Sequence, residues 1–352
     1  MSFIRNAWYV GMWAEGLVPN EPRERTIIGE SIVFFRGTEG QPVALENRCP
    51  HRAAPLHAGR VCPDGSIECA YHGLRFDATG ACVKNPHGKG AIPAAAHARS
   101  YPAMEKHSLI WVWLGEAAAD PERIPDLSVI DHAAPEDVTY RDVLEMDSHY
   151  ELVVDNLLDL SHTAFLHRGV LGNDDTVSAE IRVASTSDSV TASRWMPGVA
   201  APGLFDMMFR RDGGLVDHWA EITWLAPSCL INDSGVSALG APRAEGTGIW
   251  GLHLLTPIHE RKTRYHFAAV RQNPLPFAEP IRQDIMLKLK DLRRKAFTME
   301  DEPMIVAQQR MLDAAGPDFR PVFLEVDGAA VRYRRVLDRL READLNPSSV
   351  PA

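Results

Sequence analysis

The sequence predicts an α+β fold, with a small all-β domain over residues 1–118 followed by a larger domain over residues 119–352 that joins an antiparallel sheet to helices. Three observations carry this prediction. The first third is a series of short β-branched and aromatic runs broken by glycine turns. A soft stretch rich in alanine, acidic residues and proline, Glu116 to Pro125, then interrupts the chain. Beyond it the apolar spacing changes between the period of strands and that of helices.

In the first domain, Ser31-Ile32-Val33-Phe34-Phe35 and Pro42-Val43-Ala44-Leu45-Glu46 read as strands separated by Gly37 and Gly40. Leu74 to Val83 reads as a hairpin turning at Thr79-Gly80, and Ser108 to Leu114 as a strand ending at Gly115. In the second domain, residues 147–166 read as a helix, and segments near 177–196, 216–232 and 249–271 as longer antiparallel strands. Residues 276–312 turn helical, with Ile281, Ile285, Leu289 and Leu292 on one face. Ala329 to Ala343 is a short basic amphipathic helix whose arginines form a solvated face or a subunit contact.

No apolar run approaches the ~20 residues of a bilayer span. The opening residues lack the basic and apolar pattern of a secretion signal. The expected location is therefore cytoplasmic, with no membrane partner. A formal net charge of −10 speaks against nucleic acid as a partner. The five cysteines, an odd number, fit a reducing compartment better than a disulfide scaffold.

Four potential metal ligands stand in two mixed pairs. Cys49-Pro50-His51 is followed, after seventeen intervening residues, by Cys69-Ala70-Tyr71-His72. A [2Fe–2S] cluster of the Rieske kind takes both cysteines on one iron and both histidines on the other, and imidazole in place of thiolate raises its potential. One thiolate and one imidazole per loop lets each loop reach both irons. Pro50, Pro55 and Gly73 suit tight loops that turn backbone N–H groups toward sulfur. A Cys₂His₂ zinc site is the rival, although zinc loops more often pair like ligands. His57 and His87 lie nearby as surface or supporting residues.

The second constellation is Asp155-Asn156-Leu157-Leu158-Asp159-Leu160-Ser161-His162, then His167. Two histidines and one carboxylate on one face of Fe(II) leave positions open for dioxygen. A separation of five residues puts the histidines ~140° apart on an ideal helix, so the helix should distort or end between them. Asp159, three residues before His162, falls on the same helical face. The third ligand must come from elsewhere. Asp301 is the first choice, with Glu300 and Glu302 as rivals from composition alone. A cluster that moves electrons needs somewhere to send them, and this favours a second metal over a structural histidine pair.

With these motifs in view, the chain resembles the oxygenase components of Rieske non-haem iron aromatic oxygenases, in the branch of the vanillate and dicamba O-demethylases. The resemblance runs through nearly the whole length. It rests on Asn6-Ala7-Trp8-Tyr9-Val10, Cys49-Pro50-His51-Arg52, Tyr71-His72-Gly73-Leu74, Ile110-Trp111-Val112-Trp113 and Asp155-Asn156-Leu157-Leu158-Asp159-Leu160. It implies a Rieske β domain followed by a catalytic domain of helix-grip type. It implies that Cys49, His51, Cys69 and His72 hold the cluster and that His162, His167 and Asp301 hold the catalytic iron. Asp159 matches a carboxylate that bridges the two centres across a subunit interface. Asn156 matches a residue close to the iron that does not normally ligate it. A homotrimer is implied, with the cluster of one subunit feeding the iron of its neighbour.

The resemblance also implies O₂ as co-substrate and electrons drawn from NAD(P)H through a separate flavin or iron–sulfur reductase, with or without a ferredoxin. No flavin or nucleotide fingerprint of the G-x-G-x-x-G type is evident, which fits a chain that receives electrons from another protein. The implied reaction is O-demethylation of a small aromatic acid, a methoxybenzoate such as vanillate, with release of formaldehyde. Hydroxylation of a ring or an aryl methyl group is the alternative, and a non-catalytic electron carrier the remote one. Asn232 and His253 fall where branch members contact an acidic substrate, though each also reads as a satisfied strand polar group. Leu292 stands near the place where the dicamba enzyme has a tryptophan, which counts against dicamba itself.

Overall fold

A computed structural model describes residues 3–134 and 137–345. The chain forms two compact units, Met1–Asp126 with Thr256–His259, and Leu127–Leu255 with Glu260–Ala352. The division falls at Asp126, not after residue 118, because the alanine-rich stretch is tied into the first unit. Trp8 Nε1 donates to Asp120 O at 2.8 Å and Trp113 Nε1 to Ala117 O at 2.9 Å. The Arg123 guanidinium lies 5.2 Å over the Trp113 ring.

The first unit holds three small antiparallel sheets. Trp8–Trp13, Leu109–Trp113 and Ala103–Lys106 form one; Arg23–Ile27, Glu30–Arg36, Pro42–Glu46 and Ser100–Tyr101 form the second. The third joins Arg60–Val61, Ile67–Glu68, Arg75–Phe76 and Cys82–Lys84. Val33, Phe35, Leu45, Leu56, Ile67 and Phe76 make a core against which Cys49 and Cys69 are buried. The expected hairpin turns at Gly80, whose φ is +88°, and Asp77 Oδ1 accepts from the amides of Thr79 and Ala81.

The second unit is built on a seven-stranded antiparallel sheet. Its order is Val138–Met146, Lys262–Arg271, Thr247–His259, Cys229–Ser237, Leu215–Leu225, Ser189–Ala200, Arg182–Ser185. Each of the three segments read as longer strands resolves into two, because Thr186-Ser187-Asp188, Ala226-Pro227-Ser228 and Glu260-Arg261 break them into hairpins. The α+β class is as expected. Glycines 246, 248 and 251 do repeat the G-x-G-x-x-G spacing, but they run into strand Thr247–His259 and open no helix, so they form no nucleotide turn.

Two helical regions depart from the expected lengths, and both departures build the site. The helix expected over 147–166 is Tyr150–Leu158 and ends before either histidine. The helical stretch expected over 276–312 is Ile281–Arg294 and Glu302–Ala315, joined by a π-helical turn over Lys295–Asp301. The last helix is Gly328–Leu345. Among the described residues, no helix is long and apolar enough to cross a membrane.

A Cβ at Gly80 would lie 1.9 Å from the Ala98 carbonyl oxygen, on a backbone that side chains rarely adopt. Gly80→Ala is therefore expected to destabilise the first unit by at least about 2 kcal/mol, read as a lower urea midpoint. An unchanged midpoint would show that the turn re-forms another way.

Candidate active site

In the first unit the two cysteine loops are built alike. The Ala53 amide donates to Cys49 O and the Gly73 amide to Cys69 O, each at 2.9 Å. The Cys49 amide donates to Ala54 O and the Cys69 amide to Leu74 O, each at 2.8 Å. Both loops pass through the left-handed region, at Ala53 (φ +54°) and Gly73 (φ +71°). The result is two buried sulfurs and two outward imidazoles, with the His51 and His72 rings 4.5 Å apart. Burial pushes the Cys49 thiol above its ordinary pKa, although the amides of His51 and Arg52 donate toward its sulfur. Such a thiol is inert unless a metal holds it as thiolate.

The donor set fits a two-iron cluster better than zinc. A tetrahedral zinc would gather all four ligand atoms within ~4 Å of one another. Among the described residues, His162, His167 and Asp301 are the single group of three or more such side chains that converge within 4.8 Å. The two cysteines and two histidines do not converge on one point, as a ligand set spread over two irons requires. His87 Nε2 donates to His72 O at 2.8 Å, and His57 Nδ1 meets Asn47 Nδ2 at 2.8 Å, so both are supporting residues.

In the second unit, helix Tyr150–Leu158 buries Tyr150, Val153, Val154 and Leu158 and stops where Asp159 becomes extended. A short turn over His162–Ala164 follows, and the chain returns past Gly169 to Gly172. A Cβ on Gly172 would sit 2.8 Å from the backbone of Thr163 and Ala164, so only glycine lets this strap close. The His162 and His167 rings come to 5.2 Å. Asp301, 3% exposed at the end of the π turn, points between them. Its Oδ1 is 3.1 Å from His167 Nε2, 3.8 Å from His162 Nε2 and 3.2 Å from Asn156 Nδ2, which donates to it.

On an octahedral face with bonds of roughly 2.1 Å, ligand atoms stand about 3 Å apart. The observed separations fit a two-histidine, one-carboxylate iron site. Each imidazole is already turned to present Nε2. His162 Nδ1 donates to Asp159 O at 2.5 Å, and His167 Nδ1 donates to Glu300 Oε2 at 2.7 Å. Burial pushes the pKa of His162 down. At His167 burial also opposes the charge, but Asp301 and Glu300 outweigh it and the pKa is raised. A proton is thus attracted where a divalent cation would stand.

Of the three acids in the 300–302 run, Asp301 takes the inward position, Glu300 orients His167, and Glu302 begins the next helix. The position of Asp159 differs from the expected helical face. Its main-chain carbonyl, not its carboxylate, accepts from His162, and the carboxylate Oδ2 is 4.0 Å from that ring nitrogen. Asp159 Oδ1 instead accepts from the Ser161 amide at 2.8 Å and from its hydroxyl.

A cavity of about 140 Å³ opens beside this cluster, the size at which apolar cavities take up a benzene-sized ring. Leu160 and Thr163, from the histidine strap, and Ala296 and Phe297, from the π turn, form part of its wall. Asn232 and His253 both line it, as does Leu292. Ser234 Oγ donates to Asn232 Oδ1, leaving the amide's Nδ2 uncommitted. His253 is 2% exposed; its Nδ1 meets the Tyr265 hydroxyl, and its Nε2 has no hydrogen-bond partner. Burial pushes the His253 pKa to about 3 and that of Tyr265 well above its usual value. The phenol therefore donates to a neutral ring, and His253 offers an N–H at Nε2. Gly251 keeps the space before it open, since a Cβ there would lie 2.9 Å from that nitrogen.

Three residues of this unit escaped the sequence reading. By composition Glu300 reads only as a rival ligand. Arg194 and His218 line the cavity and are 4% and 1% exposed. Arg194 left a legible signal, because Val190, Ala192, Arg194 and Met196 share the buried phase of strand Ser189–Ala200. A charge in the apolar phase of an alternating strand is a site signal.

The sequence matches two family profiles. Residues 7–102 match the Rieske [2Fe-2S] domain, and residues 146–343 match the vanillate O-demethylase oxygenase C-terminal domain. The chain is 36% identical to the oxygenase component of chloroacetanilide N-alkylformylase from Rhizorhabdus wittichii, covering 99% of this chain and 98% of that one. It is 35% identical to the dicamba O-demethylase oxygenase component of Stenotrophomonas maltophilia, over 98% of this chain and 99% of the other. Its fold is similar to the crystal structure of dicamba monooxygenase bound to 3,6-dichlorosalicylic acid, with a TM-score of 0.90 and 34% identity over 98% and 100% of the chains. A structure of that enzyme with non-haem iron and dicamba aligns with a TM-score of 0.80 and 32% identity, over 99% of this chain and 100% of that one.

Glu300→Gln removes the carboxylate that orients His167 but keeps its size. It is expected to weaken Fe(II) binding roughly 10–100-fold, measured by competition with a chromophoric chelator. Affinity equal to wild type would mean the ring is held by its packing alone.

Proposed function

The chain belongs to the family of Rieske [2Fe–2S] oxygenase components that carry the vanillate O-demethylase oxygenase C-terminal domain, and on that premise we propose that it removes the methyl group from a small methoxylated aromatic acid of the vanillate kind. It is a Rieske non-haem iron monooxygenase and one component of a multicomponent system. One observation carries the proposal: the two segments that bring His162 and Asp301 together also wall the ring-sized cavity. The three ligands do not themselves line the cavity, but Leu160 and Thr163 on either side of His162 and Ala296 and Phe297 before Asp301 do, and a substrate held there would bring its reactive carbon toward the metal position.

Cys49, Cys69, His51 and His72 would hold the cluster, and His162, His167 and Asp301 the iron. When bound, the cluster relays single electrons and the iron activates dioxygen. The residues of this chain do the rest. Glu300 and the Asp159 carbonyl fix the two imidazoles with Nε2 inward. Asn156 donates to Asp301 and holds its carboxylate in place without competing for metal. Leu160, Leu289, Leu292, Ala296 and Phe297 keep the cavity apolar and short of water, and His253 and Asn232 offer neutral donors to an oxygen of the substrate.

The overall change is ArOCH₃ + O₂ + 2 e⁻ + 2 H⁺ → ArOH + HCHO + H₂O. Hydroxylation of the methyl carbon gives a hemiacetal that expels formaldehyde and leaves the phenol. The electrons come from NAD(P)H through a flavin or iron–sulfur reductase, directly or by way of a ferredoxin. In the same proposal the chain assembles as a homotrimer, and Asp159 of one subunit faces His72 of the next. In support, His72 and His51 lie at the surface of the first unit, and the Asp159 side chain keeps a third of its surface exposed in the second.

A second reading, oxidation of an N-alkyl group, has specific support in the 36% identity to the oxygenase component of chloroacetanilide N-alkylformylase. A screen of methoxybenzoates beside N-alkylated anilides, with a generic reductase, separates the readings by which class is consumed. The expected result is one formaldehyde per substrate consumed, with oxygen uptake corrected for peroxide. Consumption of substrate to a ring-hydroxylated or benzylic alcohol product, without formaldehyde, would overturn demethylation.

Asp159→Asn should keep about three irons per chain and the visible spectrum of the cluster, yet lose turnover roughly 10–100-fold. Wild-type rates in this variant would remove the bridge from the mechanism.

A further inference from the structure

The cavity has a charged pole as well as the neutral one at His253. Arg194 is 4% exposed and lines the cavity from strand Ser189–Ala200. Its Nη2 donates to Thr163 Oγ1 at 2.9 Å and its Nη1 to Thr176 O at 3.3 Å, while Nε is buried with no hydrogen-bond partner among the described residues. No carboxylate stands within ion-pair distance of this guanidinium among the described residues; Asp159 acts on it only through space. Burial brings its pKa down to about 10, so it remains charged at neutral pH.

The two hydrogen bonds do not account for a charge. A hydroxyl and a carbonyl would be served by neutral donors, and burying an unpaired cation is among the costlier things a fold does. Among the described residues nothing else at this pole supplies a counter-charge. His218 beside it is neutral, since burial takes its pKa to about 4, and its Nδ1 donates to Gly235 O at 2.8 Å.

Strand register places this pole away from the other one. Arg194 pairs with Ala220, Ala220 with Ser234 and Ser234 with Ile249, so these four form one row across the cavity floor. Asn232 and Gly251 form the next row, and His253 with Leu230 the one after. Successive rows on one face of a strand are roughly 6.6 Å apart. Asn232 is thus one row and two strands from Arg194, and His253 two rows and three strands, so the two poles are separated both along and across the sheet.

We propose that Arg194 is the anchor for the anionic group, a carboxylate or a sulfonate, of an aromatic substrate, and that Asn232 and His253 serve an uncharged oxygen at the other pole. The inference rests on the proposed reading of the cavity as the substrate site. It moves the selection for charge from the neutral histidine to the one cavity-lining guanidinium whose charge is unpaired. Entry of the anion completes an ion pair in a dry site, whereas a neutral analogue leaves the cation unpaired.

Binding of matched probes to the anaerobic holoenzyme, by calorimetry, tests this. Vanillate is compared with its methyl ester, and toluene-4-sulfonate with the corresponding sulfonamide. Wild type is expected to favour each anion over its neutral partner by at least roughly tenfold. Arg194→Met should abolish that preference, and Arg194→Lys, which keeps the charge without the fork, should retain part of it. If Arg194→Met fails to fold, the wild-type pairs and the lysine variant still decide. A wild type indifferent to charge, or one that binds none of the anions at millimolar concentration, overturns the anchor. A methionine variant that keeps the full preference overturns it as well and returns the role to His253 and Asn232. Formaldehyde from ester and acid alike would leave demethylation standing while the anchor falls. Charge preference without formaldehyde would do the reverse.

Discussion

Asp301 Oδ1 is the atom on which the geometry of the catalytic unit turns. It lies within 3.8 Å of both histidine Nε2 atoms and accepts a hydrogen bond from Asn156, all from a side chain that is almost wholly buried. A buried carboxylate is costly unless something cationic or hydrogen-bonding meets it. Three segments far apart in sequence therefore have to arrive together: the end of one helix, the strap after it and a helical turn more than 130 residues on. Gly172 lets the strap close, and Glu300 and the Asp159 carbonyl set the rings. Were the carboxylate displaced by one residue, each of these supports would aim at nothing.

The π turn explains why composition could not choose among the acids. Leu289, Leu292 and Ala296 follow one helical face and line the cavity. A regular helix would continue that stripe from Ala296 to position 300, four residues on, and would turn Glu300 inward. The i→i+5 bonding of Lys295–Asp301 admits one extra residue and brings Asp301 to the inward position instead. Glu300 is then free to reach His167 from behind. Such a bulge leaves little local signature, so the pattern of sequence narrowed the choice to three neighbours and the backbone made it.

The first unit was more legible because its chemistry is local. Each cysteine loop carries its own turn, its own hydrogen bonds and half of the ligand set within five residues, and the strands around it follow an apolar alternation that needs no distant partner. In the second unit the legible parts were again local, namely the histidine pair, the amphipathic helices and the strand content. Strand Thr247–His259 and its neighbours merged in the reading because their turns are only two or three residues long. The alanine-rich stretch reads as a linker by composition, yet Trp8 and Trp113 bond it to the first unit. Composition is enough to mark a strand around Arg194, but the alternation of that strand is what sets its charge among the buried positions.

The polarity of the cavity follows from the same economy. An apolar wall excludes water and strengthens whatever few charges it surrounds. Here the histidines of the wall are neutral, because burial takes His253 and His218 far below neutral pH, so discrimination by charge falls to the guanidiniums. Arg293 has its countercharge, Asp142 Oδ2 at 3.0 Å, and stacks on Phe267. Arg194 has none within ion-pair distance, and it holds Thr163, the residue next to His162. An anion that pairs with Arg194 would thus act on the strap that carries the metal-facing imidazoles. Substrate recognition and ligand geometry would then share one side chain, and a filled cavity and a properly set metal site would be parts of the same packing arrangement.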